Sequence, residues 1–287
     1  MPDANKKIRF LRPKPPKFVS AARSYGGCAN EEDRPLFVFL PGMDGSGMLL
    51  RPQISKLAQD FDIRCLTLPA DDMASWDVLV TETIALIEAE KQGGKQQRPV
   101  YLCGESFGGC LAMKIVLEAP QLCDRLILVN PASSFRQQPW VQWGSHLTQW
   151  LPANLYPLSV IGLLPILASL GKIAGDDRRA LLEAMQAVPQ HTSVWRLALV
   201  RSFNVDENQL RGVKQPTLVI ASGADRLLPS IAEAKLLVKV IPNAEMVMLA
   251  NSGHACLLET DVDLHAIMKA HNFLTKSEEN LSLVSSH

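Results

Sequence analysis

The chain has 287 residues, 29 Lys and Arg balanced by 29 Asp and Glu, and 47% hydrophobic residues. That length fits one large domain with a sizeable core, and the zero net charge, with no basic face, argues against nucleic acid as a partner. The six cysteines, at 28, 65, 103, 110, 123 and 256, form no C-x-x-C pair, which argues against a zinc site or a disulfide scaffold and for a reducing compartment.

The N-terminus, Met1-Pro-Asp-Ala-Asn-Lys-Lys, has no apolar signal core, so a cytoplasmic setting rather than secretion is expected. Residues 1–34 form a basic, proline-punctuated N-terminal segment in which 8–12 and 17–20 read as short edge strands. A first core part is expected over 35–135. It opens with the continuous apolar run Pro35-Leu-Phe-Val-Phe-Leu40, a buried strand that enters Pro41-Gly-Met-Asp-Gly-Ser-Gly47. Glycines at 42, 45 and 47 bring the backbone close to a ligand or neighbour. No Gly-Lys-Ser/Thr follows them, which disfavours a phosphate loop.

The run 61–68 is the next strand, and Pro69 ends it. Ser75 caps a helix over 76–91, where apolar residues recur at helical spacing, and Gly93-Gly94 close it. A buried strand at 100–103 then leads into Gly104-Glu-Ser106-Phe-Gly108, followed by helix-forming residues 111–118 that stop before Pro120. A serine held between strand and helix in this way is a nucleophile elbow. The sharp turn strains its backbone, so the neighbours two positions away, Gly104 and Gly108, must lack side chains. Another apolar strand, 125–129, ends in Asn130-Pro131. Strands alternating with helices imply crossover units, an α/β fold and a mostly parallel sheet.

Over 137–171 the chain contains no Asp, Glu, Lys or Arg, and it carries Trp140, Trp143 and Trp150. Prolines at 152, 157 and 165 divide the apolar run too finely for a spanning helix. A helical insertion is expected over 136–205, continued by the charged stretch 176–179, a helix at 180–187 and Trp195. It reads as ordinary helical core or as a lid. In the lid reading Trp140, Trp143 and Trp150 line a pocket for a lipid-like group, with transient contact to a membrane surface.

The second core part is expected over 206–274. It holds a strand at 216–222, the loop Gly223-Ala-Asp225, a helix at 230–240, a strand at 244–249, the loop Asn251-Ser-Gly-His254 and a helix from 262 to 273. Residues 275–287 form a polar, frayed tail. Ser106, Asp225 and His254 thus fall in one order, each at the carboxyl end of a strand, where ligands bind in open parallel sheets. Ser106 needs a base to remove its proton, His254 can serve as that base, and Asp225 can orient the ring and stabilise its charged form. Asp44 and Glu105 are rival acids, but they adjoin the glycine loop and the elbow, on the wrong side of the histidine. At Asn130, another strand end that could carry the acid, the residue is an amide. The backbone N–H groups of Met43 and Phe107 are the expected donors to an oxyanion.

Taken together, Leu40-Pro-Gly-Met-Asp-Gly-Ser-Gly47, Gly104-Glu-Ser-Phe-Gly-Gly109, Asn130-Pro-Ala-Ser-Ser-Phe135, Gly223-Ala-Asp-Arg-Leu-Leu-Pro-Ser230 and Ser252-Gly-His254 resemble the α/β-hydrolase domain of the phytyl ester synthase-like esterase/lipase/thioesterase family of plastid lineage. The resemblance covers about residues 35–273. It implies an α/β-hydrolase fold with a helical cap, a triad at Ser106, Asp225 and His254, no cofactor and no metal. It also implies a lipophilic ester or thioester substrate, and a plastid stroma or thylakoid setting in such a lineage. The family's acyltransferase motif H-x-x-x-x-D does not occur in these 287 residues. Ester or thioester cleavage is therefore the expected reaction, with acyl transfer to an alcohol such as phytol as a variant. A binding protein on the same fold, a peptidase and a C–C hydrolase are the alternatives.

Overall fold

The computed structural model describes residues 7–13, 34–92, 98–137, 152 and 155–274. Among these, seven strands make one sheet: β1 (Arg9–Leu11), β2 (Leu36–Leu40), β3 (Asp62–Thr67), β4 (Val100–Glu105), β5 (Arg125–Val129), β6 (Thr217–Ser222) and β7 (Ala244–Leu249). Their order is β1-β3-β2-β4-β5-β6-β7. Only β1 runs antiparallel, on the edge against β3 (Arg9 opposite Thr67). The expected edge strand at 8–12 is therefore present, whereas 17–20 lies outside the described residues. The chain passes from β2 to β3 on one side and then returns to β4 on the other side of β2, with Leu40 opposite Gly104. Such a reversal opens a crevice beyond the carboxyl ends of β2 and β4. The glycine loop and the elbow both leave from those ends.

Why the central strands are apolar throughout is visible in their two faces. Leu36, Val38, Leu40, Leu102 and Leu128 join one buried cluster, while Phe37, Phe39, Cys103 and Ile127 join another. With both faces covered, the period-two alternation is hydrophobic on each side. The first face packs against α2 (Trp76–Gln92), α3 (Phe107–Glu118) and α8 (Ser230–Val240); the second packs against α1 (Ile54–Leu57) and α9 (Leu264–Ala270). Truncating a ring such as Phe39, which has no exposed surface, to alanine costs about 3–5 kcal/mol.

Between β5 and β6 lie α4 (Tyr156–Leu167), α5 (Gly175–Ala187), α6 (Gln190–Ser202) and α7 (Glu207–Arg211). We call α4 to α6 the cap. Ala168, Ile173 and Leu181 pack on Leu49 and Leu258, which seats the cap over the loops after β2 and β7. Trp76 Nε1 donates to Leu199 O at 2.8 Å, and Trp195 Nε1 donates to Ala74 O at 3.0 Å. Among the described residues no helix is long and apolar enough to cross a membrane.

Three helices differ from the sequence expectation by more than one residue at an end. The elbow helix begins at Phe107 rather than 111, because the turn at Ser106 feeds the helix directly and leaves Gly108 and Gly109 inside it. The helix expected at 180–187 begins at Gly175, with Asp176 and Asp177 in a first turn that favours negative charge. The final helix is Leu264–Ala270, not 262–273. Asp263 caps it by accepting from Ala266 N, and Asn272 ends it in a left-handed conformation (φ 52°). There Asn272 N bonds Lys269 O and Phe273 N bonds Met268 O, the 5→2 and 6→1 bonds of a glycine-type helix stop. The helix α6, which carries Trp195, was not expected as a separate element.

Candidate active site

Ser106 sits at φ 53°, ψ −112° between β4 and α3, a strained conformation for a residue with a side chain. Its backbone is held there on both sides: Ser106 N donates to Val129 O at 3.0 Å, and Ser106 O accepts from Gly109 N and Ala132 N. The two elbow glycines are sterically compelled. A Cβ on Gly104 would fall 2.3 Å from Gly108 O, and one on Gly108 would fall 2.0 Å from Leu40 O.

His254 Nε2 lies 2.9 Å from Ser106 Oγ, and His254 Nδ1 lies 2.8 Å from Asp225 Oδ2. The network assigns the ring proton to Nδ1, which donates to the carboxylate and leaves Nε2 to accept the serine O–H. Asp225 is itself fixed by Leu227 N and Leu228 N on Oδ1 and by the Ser230 hydroxyl on Oδ2. Burial acts to raise the Asp225 pKa, but His254 and these donors outweigh it, and it lies below the ordinary carboxylate value. Burial likewise pulls His254 down, and the carboxylates of Asp225 and Glu105 reverse this, leaving it above the usual imidazole value. Such a chain can take a proton from Ser106 and hold the resulting imidazolium.

The rival acids occupy other places. Asp44 folds back on its own loop, accepting from the backbone N and hydroxyl of Ser46. Glu105 is 8% exposed, and burial pushes its pKa up to about 7, against the pull of His254. Asn130, at φ 43°, acts as a clamp. Its Nδ2 donates to His254 O at 2.7 Å and Ser222 Oγ at 2.9 Å, and its Oδ1 accepts from Ser222 N. The amide can donate and accept at once, which ties the ends of β5 and β6 to the histidine loop; a carboxylate could only accept. Buried Glu259 secures the same loop by accepting from Gly253 N at 2.7 Å. Sequence reasoning missed both roles, since each depends on partners that only the fold brings near.

Phe107 directly follows Ser106, and Met43 lines the same cavity as the serine. Phe107 N is the first amide of α3, where a helix has no internal acceptor to offer. Gly42 O accepts from Gly45 N, so the N–H of the same peptide, that of Met43, points the opposite way. Above the serine a cavity of about 340 Å³ is lined by Met43, Phe135, Val160, Leu163, Leu181 and Met185, with Ser106 and His254 at its base. Trp140, Trp143 and Trp150 lie outside the described residues; the rest of the cavity wall is largely apolar and comes mostly from α4, α5 and α6, with Met43 and Phe135 from the loops after β2 and β5. Five cysteines, 65, 103, 110, 123 and 256, are buried free thiols. Among the described residues no group of His, Cys, Asp or Glu could hold a metal ion.

A family model described as "Serine aminopeptidase, S33" (Hydrolase_4) matches residues 70–261. The chain belongs to that α/β-hydrolase family. Among its curated relatives, phytyl ester synthase 1, chloroplastic, of Arabidopsis thaliana is 35% identical over 83% of this chain and 37% of its own length. The chain thus spans under two fifths of that protein. A putative carbamate hydrolase, RutD, of Stutzerimonas stutzeri is 26% identical over 84% of this chain and 92% of its own. Among solved structures, MenH from S. aureus superposes with a TM-score of 0.70 at 15% identity, covering 92% of this chain and 96% of that one. That likeness bears on the fold, and the α/β-hydrolase fold is what it shows.

Proposed function

We propose that this α/β-hydrolase cleaves a lipophilic carboxylic ester or thioester through an acyl-enzyme on Ser106, with acyl transfer to a long-chain alcohol as a variant. One observation carries the reading: the hydrogen-bonded chain Ser106–His254–Asp225 opens onto a largely apolar cavity. In this reading Ser106 Oγ attacks the ester carbon while its proton passes to His254 Nε2. The carbonyl oxygen becomes an oxyanion that the Met43 and Phe107 N–H groups receive. The intermediate collapses, His254 returns the proton to the departing alcohol or thiol, and the acyl group stays on Ser106. The oxygen of water, or of an alcohol held in the cavity, then attacks the acyl carbon while its proton passes to His254, and His254 returns that proton to Ser106 Oγ as the acyl–serine bond breaks. A water-poor wall favours the alcohol over water. The phytyl ester synthase relative supports a lipophilic substrate, and its chloroplastic setting is the support for a plastid location.

The test is labelling with a fluorophosphonate, followed by turnover of p-nitrophenyl esters of increasing chain length with and without added phytol. Label on Ser106, a preference for long chains and phytyl ester product are expected. No label on folded protein would move the assignment to a binding protein on this fold, and faster turnover of a matched p-nitroanilide amide would move it to a peptidase.

A further inference from the structure

Arg196 lies on the cap helix α6 yet is 1% exposed, because its side chain reaches down into the glycine loop after β2. Nη1 donates to Met43 O at 2.7 Å and Nη2 donates to Pro69 O at 2.9 Å. Both partners are backbone carbonyls of loops that leave the sheet's carboxyl edge, and Nε has no partner among the described residues. Taking a guanidinium out of water costs several kcal/mol. An apolar side chain would seat the cap with less expense, so packing alone does not account for a cation here.

The loop is fitted to this guanidinium. Gly45 has φ +66°, and a Cβ there would lie 2.8 Å from Arg196 Nη1 and 3.2 Å from Cζ. The rest of the loop is held in turn: Gly42 O by Gly45 N, Gly45 O by Leu68 N at 2.8 Å, and Ser46 O by the Thr67 hydroxyl at 3.0 Å. Residue 43 therefore has its two peptides pinned separately. The peptide before it is fixed through Gly42 O, and the peptide after it through Met43 O and Arg196. With both fixed, φ and ψ of Met43 have no freedom, and neither does the direction of its N–H.

We propose that Arg196 is a positioning residue through which the cap sets the oxyanion hole, by holding the Met43 carbonyl away from the cavity and so keeping the Met43 N–H aimed at the oxyanion. This rests on the ester hydrolase reading above. The partners are matched in strength as well as geometry. A charged donor to a neutral carbonyl is stronger than a neutral pair. Burial acts to lower the Arg196 pKa, with the Asp72 and Asp44 carboxylates opposing it. An oxyanion donor must be in place before charge develops, because a donor that reorients during reaction loses its advantage over water.

The experiment uses Arg196→Lys and Arg196→Met in the full chain, with thermal unfolding alongside. Three quantities are read: kcat, KM for a p-nitrophenyl ester, and the inhibition constant of an alkyl trifluoromethyl ketone. Ser106 Oγ adds to the ketone carbon, the serine proton moves to His254, and the ketone oxygen becomes an oxyanion in the hole. Losing an oxyanion donor outright costs about 10²–10³ in kcat, so a misaimed one should cost about 10- to 100-fold. The expected result is that fall in kcat with KM within about twofold, and ketone affinity weakened by the same factor as kcat. A lower unfolding temperature with kcat and ketone affinity unchanged would reduce Arg196 to a cap anchor and overturn the proposal. Should both replacements fail to fold, Gly45→Ala tests the same contact from the loop side, since its Cβ displaces Nη1. It should show the same loss of kcat and ketone affinity, and unchanged values would overturn the proposal. Failure of the parent reading looks different: the wild-type protein itself would take no fluorophosphonate.

Discussion

Two clusters of buried charge stand at opposite edges of one sheet. At the amino edge of the parallel strands, Asp62 and Glu90 meet Arg64 and Arg98: Arg64 bonds Asp62 and lies 2.8 Å from Glu90, and Arg98 lies 2.7 Å from Asp62. At the carboxyl edge stand Ser106, His254, Asp225 and Glu105. Both clusters hold shifted carboxylates, so a shifted pKa alone does not mark a site of chemistry. At the amino edge each of these four charges faces an opposite one, and Glu90 also meets Arg12 at 3.2 Å. At the carboxyl edge the chain of hydrogen bonds ends in a strained serine facing a cavity, with Glu105 left without an ion-pair partner among the described residues. Charge that is satisfied stabilises; charge that ends in an open, apolar space is available to a substrate.

The sharpest way to separate the two is to remove the serine. Ser106→Ala or His254→Ala should lower ester turnover on the order of a millionfold, and Asp225→Ala about a hundredfold less. Ser106→Ala should leave the thermal unfolding temperature nearly unchanged. Turnover of Asp225→Ala near the wild-type level would mean that another carboxylate orients His254.

The opposite edge should behave in reverse. Asp62→Asn leaves Arg64, whose side chain is 1% exposed, with Glu90 as its remaining counter-charge, so the loss should fall below the about 3–5 kcal/mol of a buried pair broken outright. Denaturant unfolding should register that loss while kcat changes little. Burial acts to raise the pKa values of Asp62 and Glu90, but the arginines outweigh it and both lie below their ordinary values. The stability they contribute is complete above the unfolded carboxyl values of about 4 and is lost as pH falls through the lower folded ones. Unfolding free energy that stayed flat into that acid range would contradict this ion cluster.

A smaller effect concerns the cavity. Each methylene buried there adds roughly 0.8 kcal/mol at most, about fourfold per carbon in kcat/KM where that binding is used in the transition state. Leu163→Trp or Leu181→Trp, at the wall, should abolish the preference for long acyl chains and spare acetate. A preference unchanged in both would place the acyl chain elsewhere.

The smallest expected effect is on pH. His254 must be neutral to accept the serine proton, and its pKa is raised, so turnover should fall as pH drops through a value above the ordinary imidazole pKa of about 6.5. Glu105 is one cause of that rise. Glu105→Gln should move the acid limb of kcat/KM to lower pH, and an unmoved limb would show that Glu105 does not couple to His254.

Local pattern was enough for most strands of the sheet and for the three residues that meet at its carboxyl edge. The strands at 36–40 and 125–129 are legible because both of their faces are buried, and apolar runs of that length between glycines and prolines have few other uses. Ser106 is legible because a strained turn demands Gly104 and Gly108 by contact, a requirement written within five residues. Asp225 and His254 follow from their places at strand ends, since an α/β sheet collects those ends along one edge. Helix ends were less legible: Asn272 and the early start at Phe107 reflect backbone turns that composition does not encode.

What only the tertiary structure decided are the contacts whose two halves lie far apart in the chain. Asn130 ties Ser222 to His254, Gln53 bonds Leu257 O, Val262 O and Leu264 N, and Arg196 reaches Met43. A buried amide or guanidinium carries no mark in sequence of which carbonyl it will meet. Its partner is chosen by packing, and the cost of burying a polar group unpaired makes that choice strict once the chain has folded.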